Sequence, residues 1–309
     1  MTQLTSQRVS DDAGAGDGTR GNDDRTGRSR VPVRLWQRIW TTVVVIAILM
    51  AFVLPYEWMF VSGLKSQSSI FADISPLSWK TFVPLAVTFE NLQELFVDRG
   101  VGRALLNSFL VAAFQVVASL ILCTLAAYAL TRIAFKGRNA VFAVILATFM
   151  LPAEALVVPL YQLISAMSLQ DTLLAVGVPW IASAFGLFLL RQSFEAVPLE
   201  LDEAAKLDGA GHFRIFWSVI LPVVRVDLVT FVLMIFLFSW NGFLWPLVAI
   251  QSTENTLVQV AVAQSVSPGA LPNWGLTFAG ASVATIPLLI LFIFLQRLFI
   301  PGLARTGLK

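Results

Sequence analysis

The 309-residue chain is poor in the side chains that do chemistry: it has one cysteine (Cys123), one histidine (His212) and only 13% charged residues. A lone cysteine permits no intramolecular disulfide, and one set inside an apolar run behaves as a small hydrophobe. No Cys pair, no His-Glu-x-x-His helix and no Gly-x-Ser-x-Gly elbow occurs, and neither does a Gly-x-x-x-x-Gly-Lys-Ser/Thr loop. There is therefore no catalytic or metal-ligating constellation to assign, and no phosphate-cradling loop. A formal net charge of +2 offers nothing specific to nucleic acid.

Apolar side chains are abundant. They make up 57% of the residues, and the mean hydropathy of +0.78 is more than a water-soluble fold can hide. The chain reads as an all-α, polytopic transmembrane bundle. Residues 1–33 hold few large apolar side chains and are expected to be a disordered tail. A secretory signal would need an apolar region near the start, whereas the first apolar run begins beyond residue 38, so that run is expected to be retained as a span.

Six spans are expected, at about 39–61, 105–133, 139–164, 172–190, 223–250 and 276–300. Residues 65–104 form an extramembrane loop, where Pro76 and Pro84 break helices and Trp79, Phe82, Phe89 and Phe96 give amphipathic pieces. Seventeen of the 21 Lys and Arg fall on the face that carries the N-terminal segment, leaving Lys65, Lys80, Arg99 and Arg103 on the other. The positive-inside rule then puts both termini in the cytoplasm.

Between the fourth and fifth spans lies a charged island, residues 191–222, also cytoplasmic by this count. Pro198 suits a first helical position, Glu200, Asp202 and Glu203 complement the helix dipole, and Gly209 suits a left-handed end. The spacing predicts a helix over 198–208 with Leu201, Ala204, Ala205 and Asp208 on one narrow face. A second helix would put Phe213, Phe216, Trp217 and Ile220 on one face along the membrane interface, ending at Pro222. His212 is expected to be solvated. Two readings fit the island: a plain amphipathic connector, or a docking element for a cytoplasmic subunit.

Within the spans, Glu154 lies between Pro152 and Pro159, which should bend the third span. An ionisable residue at membrane depth usually faces the protein interior or a water-filled path. Trp240 and Asn241 could stack on and hydrogen-bond a sugar, or could simply pack between helices. These three are the candidate substrate-pathway residues.

Glu203-Ala204-Ala205, Gly209, Leu221 and Pro222 match the spacing of the EAA motif of binding-protein-dependent ABC permeases, with Val219 where the pattern usually has Ile. Leu151 to Tyr161, Ala182 to Gln192, Ser239 to Pro246, Gln296-Arg297 and the Gly302-Leu303 ending also resemble the carbohydrate-uptake, maltose-permease-like branch of that family. Gly242 departs from it, standing where relatives often carry an acid after Trp-Asn. The resemblance covers about residue 40 to the end, so residues 34–309 are expected to be one permease domain in a bacterial plasma membrane.

The resemblance implies that Glu203, Ala204, Ala205, Asp208, Gly209, Leu221 and Pro222 couple the spans to an ATPase. It implies a second homologous permease, two ATP-binding subunits and an extracytoplasmic solute-binding protein as partners. ATP and Mg would be handled by those subunits, with no cofactor on this chain. The competing readings are a secondary transporter or channel without an ATPase, an intramembrane enzyme and a membrane scaffold. The first predicts several charged relays inside spans, yet only Glu154 lies well inside one.

Overall fold

The structure, a computed structural model, describes residues 33–74, 78–265 and 273–306, with side chains from residue 36 to residue 297 of that range. Residues 1–32 of the expected N-terminal tail, Pro76 and residues 307–309 lie outside the described residues, and Gly302-Leu303 lies where only the backbone is described. The chain divides into two units, 1–52 and 53–309. The described part of the first is the leading portion of helix α1 (Val33–Gly63), whose side chains from Trp36 to Leu54 are exposed and mostly apolar.

In the second unit, a polar segment follows α1. Helix α2 (Gln67–Ile74), a 3-10 turn at Trp79–Thr81 and helix α3 (Glu90–Gln93), which widens into a π turn at Glu94–Asp98, agree with the expected short pieces. The segment is tied down by Lys65, which is buried. Its Nζ donates to Asp73 Oδ2 (3.0 Å) and to the carbonyls of Lys80 and Thr81. Asn91 Nδ2 donates to the carbonyls of Gly63 and Lys65, closing the segment onto the end of α1.

Helix α4 (Val101–Arg132) is the axis of the unit. At 1.5 Å per residue it is about 48 Å long. Its buried stripe (Ala104, Ser108, Ala112, Gln115, Ser119, Cys123, Ala127) recurs every three or four residues and is mostly small. Helices that cannot rely on water to drive them together associate through such close-packing stripes. Helix α4 serves three cores: Ala127 lies with Leu190, Phe194, Ile215, Ile220 and Phe231, Ala112 with Trp240, Leu276 and Ala279, and Val111, beside the stripe, with Ile164, Trp245 and Leu257.

Three of the expected spans are broken. The third consists of α5 (Arg138–Thr148), a 3-10 turn at Ala153–Leu156 and α6 (Val157–Ala166), bent by 92°. Pro152 stands at the break with an extended backbone, as a proline that cannot continue a helix should. Pro159, contrary to expectation, does not interrupt anything: it sits in the first turn of α6, where its missing N–H has no partner to lose.

The fourth consists of α7 (Leu173–Gly177) with a 3-10 turn to Trp180, then α8 (Ala184–Glu195), bent by 45°. Ser183 opens α8 by accepting the Gly186 N–H on its side chain (3.0 Å), and the helix runs to Glu195 rather than stopping at Leu190. The fifth is likewise not one helix.

The cytoplasmic segment expected from the sequence contains α9 (Leu199–Leu207) and α10 (His212–Ile215), the latter passing into a π turn at Phe216–Ile220 and α11 (Leu221–Val223). Pro222 does not end this run. The π turn just before it accommodates a residue without an N–H, and the chain bends by 81° at Val224 into α12 (Arg225–Trp240). A second break at Asn241–Phe243 leads to α13 (Leu244–Ala249). Helix α14 (Val258–Ser265) and the long α15 (Trp274–Thr306) complete the described chain. Among the described residues, then, three helices are long and apolar enough to cross a membrane, or up to six if each of three bent pairs counts as one span.

The loop between α6 and α7 is fastened to the end of α13 by Asp171. Its Oδ1 accepts the backbone N–H groups of Gln251 (3.0 Å) and Ser252 (2.9 Å) and the Ser252 hydroxyl (2.9 Å). These donors hold its carboxyl below the ordinary carboxylate value.

Candidate functional site: a docking loop and a cavity between broken spans

The end of α9 is fixed by its backbone. Gly209 takes a left-handed conformation (φ +79°). Its N–H donates to the Lys206 carbonyl (3.0 Å) and that of Ala210 to the Ala205 carbonyl (2.9 Å). This pair of bonds is a Schellman ending, in which glycine avoids the Cβ clash of the left-handed region. Ala205 and Ala210, the two residues it brings together, pack against the buried core. Helix α9 begins one residue later than expected, at Leu199, with Pro198 preceding it.

Of the Leu201, Ala204, Ala205 and Asp208 face that helical spacing groups together, only Ala205 turns inward. Asp202 is buried and forms an ion pair with Arg132 at the end of α4 (Nε to Oδ2, 3.1 Å), with side-chain exposures of 6% and 4%. Arg132 also donates through Nη2 to the carbonyls of Phe194 (3.1 Å) and Val197 (2.7 Å), at the end of α8. One guanidinium thus holds α4, α8 and α9 together. Ala205 is half-buried beside this anchor, whereas Leu201, Glu203, Ala204 and Asp208 are exposed and Leu207 is 90% exposed.

The second helix also turns differently. Ile215, Phe216 and Ile220 are buried, but Phe213 (75%) and Trp217 (64%) point outward. Leu221 is half-buried and Pro222 exposed. His212 is exposed, yet its Nδ1 lies 3.1 Å from the Tyr128 hydroxyl, and the Tyr128 ring meets Phe216 edge-on at 5.3 Å. The loop is therefore seated on the last turns of α4 through two separate contacts. Sequence reading missed Asp202, Arg132 and Tyr128 as seating residues, taking the first two for a dipole complement and an orientation charge.

At the other site, the three breaks meet. A cavity of about 290 Å³ is lined by Glu154 from the 3-10 turn of the third span, Trp180 from the fourth, and Ser239, Asn241 and Trp245 around the break of the fifth, with Gln115 of α4 behind them. Irregular backbone at membrane depth is tolerated where it lines a cavity or is buried in protein. Glu154 and Asn241 are thus brought together. Trp240 does not join them: it is 2% exposed, its Nε1 donates to the Ala284 carbonyl (3.0 Å), and it stacks on Phe236. The indoles at the cavity are Trp180 and Trp245. Gln115 and Ser239 went unremarked in the sequence, although a glutamine inside an apolar span is itself a signal.

A helical bundle with broken spans around a mostly apolar cavity that carries a few polar groups, and a charged two-helix loop seated on one end, is the architecture of a multi-pass membrane protein. Residues 119–305 match the family described as the binding-protein-dependent transport system inner membrane component. The chain is 32% identical over 251 residues to the lactose transport system permease protein LacG of Rhizobium radiobacter, covering 81% of this chain and 89% of that one. It is 35% identical over 229 residues to the arabinooligosaccharides transport system permease protein AraQ of Halalkalibacterium halodurans (74% and 82%). It is 32% identical over 260 residues to the sn-glycerol-3-phosphate transport system permease protein UgpE of Yersinia pestis (82% and 90%).

Among solved structures, a chain of a bacterial ABC transporter involved in the import of the acidic polysaccharide alginate has the same fold, with a TM-score of 0.74 at 22% identity over 85% of this chain and 96% of that one. The chain belongs to the binding-protein-dependent inner-membrane permease family. It is the membrane-spanning subunit of an ABC importer, and the reading as a transporter without an ATPase gives way to that assignment.

Proposed function

We propose that this subunit forms half of an alternating-access pathway for a sugar or related solute. It would pair with a second homologous permease, two ATP-binding subunits and an extracytoplasmic solute-binding protein, with both termini cytoplasmic. The reading of the solute rests on the names of the relatives, which transport lactose, arabino-oligosaccharides and sn-glycerol-3-phosphate.

The observation that carries the coupling role is the division of α9. Asp202 and Ala205 face inward, while Glu203, Ala204 and Leu207 are exposed on a short helix whose end is fixed by Gly209. A connector between two spans needs only a few residues. This one presents a rigid surface, with Phe213 and Trp217 beside it, suited to a soluble partner. Closure of the ATPase dimer would push on that surface, and the Arg132 anchor would pass the motion to α4 and α8. The chain itself is read as non-catalytic, with ATP and Mg bound by the partner subunits. Glu154 and Asn241 would belong to the pathway wall.

The test is ATP-dependent uptake by the complete complex in proteoliposomes, using the sugar captured by its own solute-binding protein. Uptake should need the ATP-binding subunits and should be lost in Glu203→Lys with the spans still inserted. Normal solute-stimulated ATP hydrolysis and uptake in that variant would refute the coupling role.

A further inference from the structure

We infer that the run from His212 to Val223 (α10, its π turn and α11) lies in the headgroup region of the bilayer and binds anionic phospholipid. Phe213 and Trp217 enter the acyl boundary, and Arg214 and Arg225 meet lipid phosphates. This goes beyond the coupling role of α9 and stands whether or not α9 docks an ATPase.

Helix α12 runs alongside α4. Its Phe231 and Ile235 share a core with Ala127, and its Phe236 and Trp240 share the next with Ala112. Helix α4 is long and apolar enough to cross on its own, so the pair marks the direction of crossing. The His212–Val223 run meets α12 at 81°. It therefore lies close to the plane of the membrane.

The depth of the run is set by α4. Arg132 holds α9, whereas Tyr128 holds the second helix, through His212 Nδ1 (3.1 Å) and the edge of Phe216. Tyr128 precedes Arg132 by one helical turn, which places it about 6 Å further into the span. The two helices of the loop thus sit at different levels. Helix α9 is at the polar end of α4, and the second helix is one turn deeper.

The outward surface of the run fits that level. Ile215, Phe216 and Ile220 are buried in the bundle core, which leaves Phe213, Trp217 and Val223 largely exposed. Arg214 and Ser218, each one position on from an aromatic, give a neighbouring polar edge. From Gly209 to Val226 the chain holds no Asp or Glu. Among the described residues, neither Arg214 nor Arg225 forms an ion pair.

Indole rings favour the headgroup level, and an in-plane helix binds there through an aromatic edge beside a basic one. A guanidinium forks onto phosphate oxygens, which gives the basic edge its preference for anionic lipid. The bilayer that surrounds α12 covers this edge without a second protein. The link between the α9 surface and α12 would then rest on lipid on one side and on Tyr128 on the other.

The experiment uses the complete membrane complex in phosphatidylcholine nanodiscs. These carry a minority of brominated phosphatidylglycerol or, in parallel, of brominated phosphatidylcholine, with the bromine close to the headgroup. The chain has nine tryptophans, so Trp217 is read as the emission that Trp217→Phe removes. Both lipids should quench that emission. The anionic lipid should be enriched around it by at least about fivefold over the neutral one, the usual gain from one arginine at an anionic surface. Arg214→Gln and Arg225→Gln should each lower the enrichment, by about two- to fivefold. Trp217 emission that neither lipid quenches means that protein or water covers the residue, and it overturns the proposal. Equal quenching by the two lipids, or an enrichment unchanged in both arginine variants, does the same. Solute-stimulated ATP hydrolysis by the same discs reports on the coupling role separately, so a failed lipid contact and a failed docking loop are told apart.

Discussion

Arg132 and Asp202, from the end of α4 and the middle of α9, form a buried ion pair at 3.1 Å. Removing one partner of such a pair strands a charge in low dielectric, at a cost of about 3–5 kcal/mol. Asp202→Ala should therefore release α9, lower the thermal midpoint of the purified complex and reduce copurification of the ATP-binding subunits. Arg132→Ala should be worse, because it also abandons the carbonyls of Phe194 and Val197.

Gly209 and Gly211 separate backbone strain from crowding. A Cβ at either would meet nothing within 4 Å, but only Gly209 has a positive φ. Gly209→Val should cost about 1–3 kcal/mol locally, the price of a non-glycine residue in a disfavoured backbone region, and should uncouple ATP hydrolysis from uptake. Gly211→Ala should stay within about 0.5 kcal/mol of wild type. Thermal denaturation and solute-stimulated ATP hydrolysis of the two variants check the contrast.

Gly63 has a different reason to be glycine. A Cβ there would lie 2.9 Å from the Ala279 Cα and N, which are backbone atoms of α15 and cannot rotate away. Gly63→Ala should force the end of α1 from α15 and destabilise the folded subunit by about 1–3 kcal/mol. Its melting temperature in detergent should fall accordingly.

Asp171 sets a pH dependence of definite sign. Its carboxyl is held below the ordinary value of 3.8 by the Ser252 and Gln251 N–H groups. A depressed folded value means the stabilisation is fully present above the unfolded pKa and is lost as pH falls through the folded one. Amide exchange at Gln251 and Ser252, corrected for its intrinsic pH dependence, should show constant protection at neutral and mildly acidic pH and loss only in stronger acid. Asp171→Asn should lose protection at neutral pH as well.

The spans were legible in the sequence because apolar runs of sufficient length have few other uses. Their breaks were only partly so. Pro152 marks one, but the others lie at Ser183 and at Asn241–Phe243, where short polar residues cap helices inside runs that otherwise read as continuous. In the loop that carries α9, Gly209 was readable from local stereochemistry. The inward face was not, because it depends on where Arg132 arrives from elsewhere in the chain. Spacing placed Phe213 and Trp217 on one face with Phe216 and Ile220, and the fold divides them, burying the latter two and leaving the former exposed. At the cavity, Glu154 and Asn241 stood out as polar residues in apolar surroundings, while Trp240 shares a motif with Asn241 but faces α15.

Cross-linking from the exposed face of α9 tests the central claim most directly. With Cys123, the native cysteine, replaced by Ser, Ala204→Cys offers a thiol on the exposed face and Ile220→Cys one in the buried core. In the assembled, transport-active complex a short bis-maleimide should join Ala204→Cys to an ATP-binding subunit, abolish uptake when formed, and leave Ile220→Cys unlinked. Efficient uptake with Ala204→Cys linked only within its own chain, or to no ATP-binding subunit at all, would contradict the account.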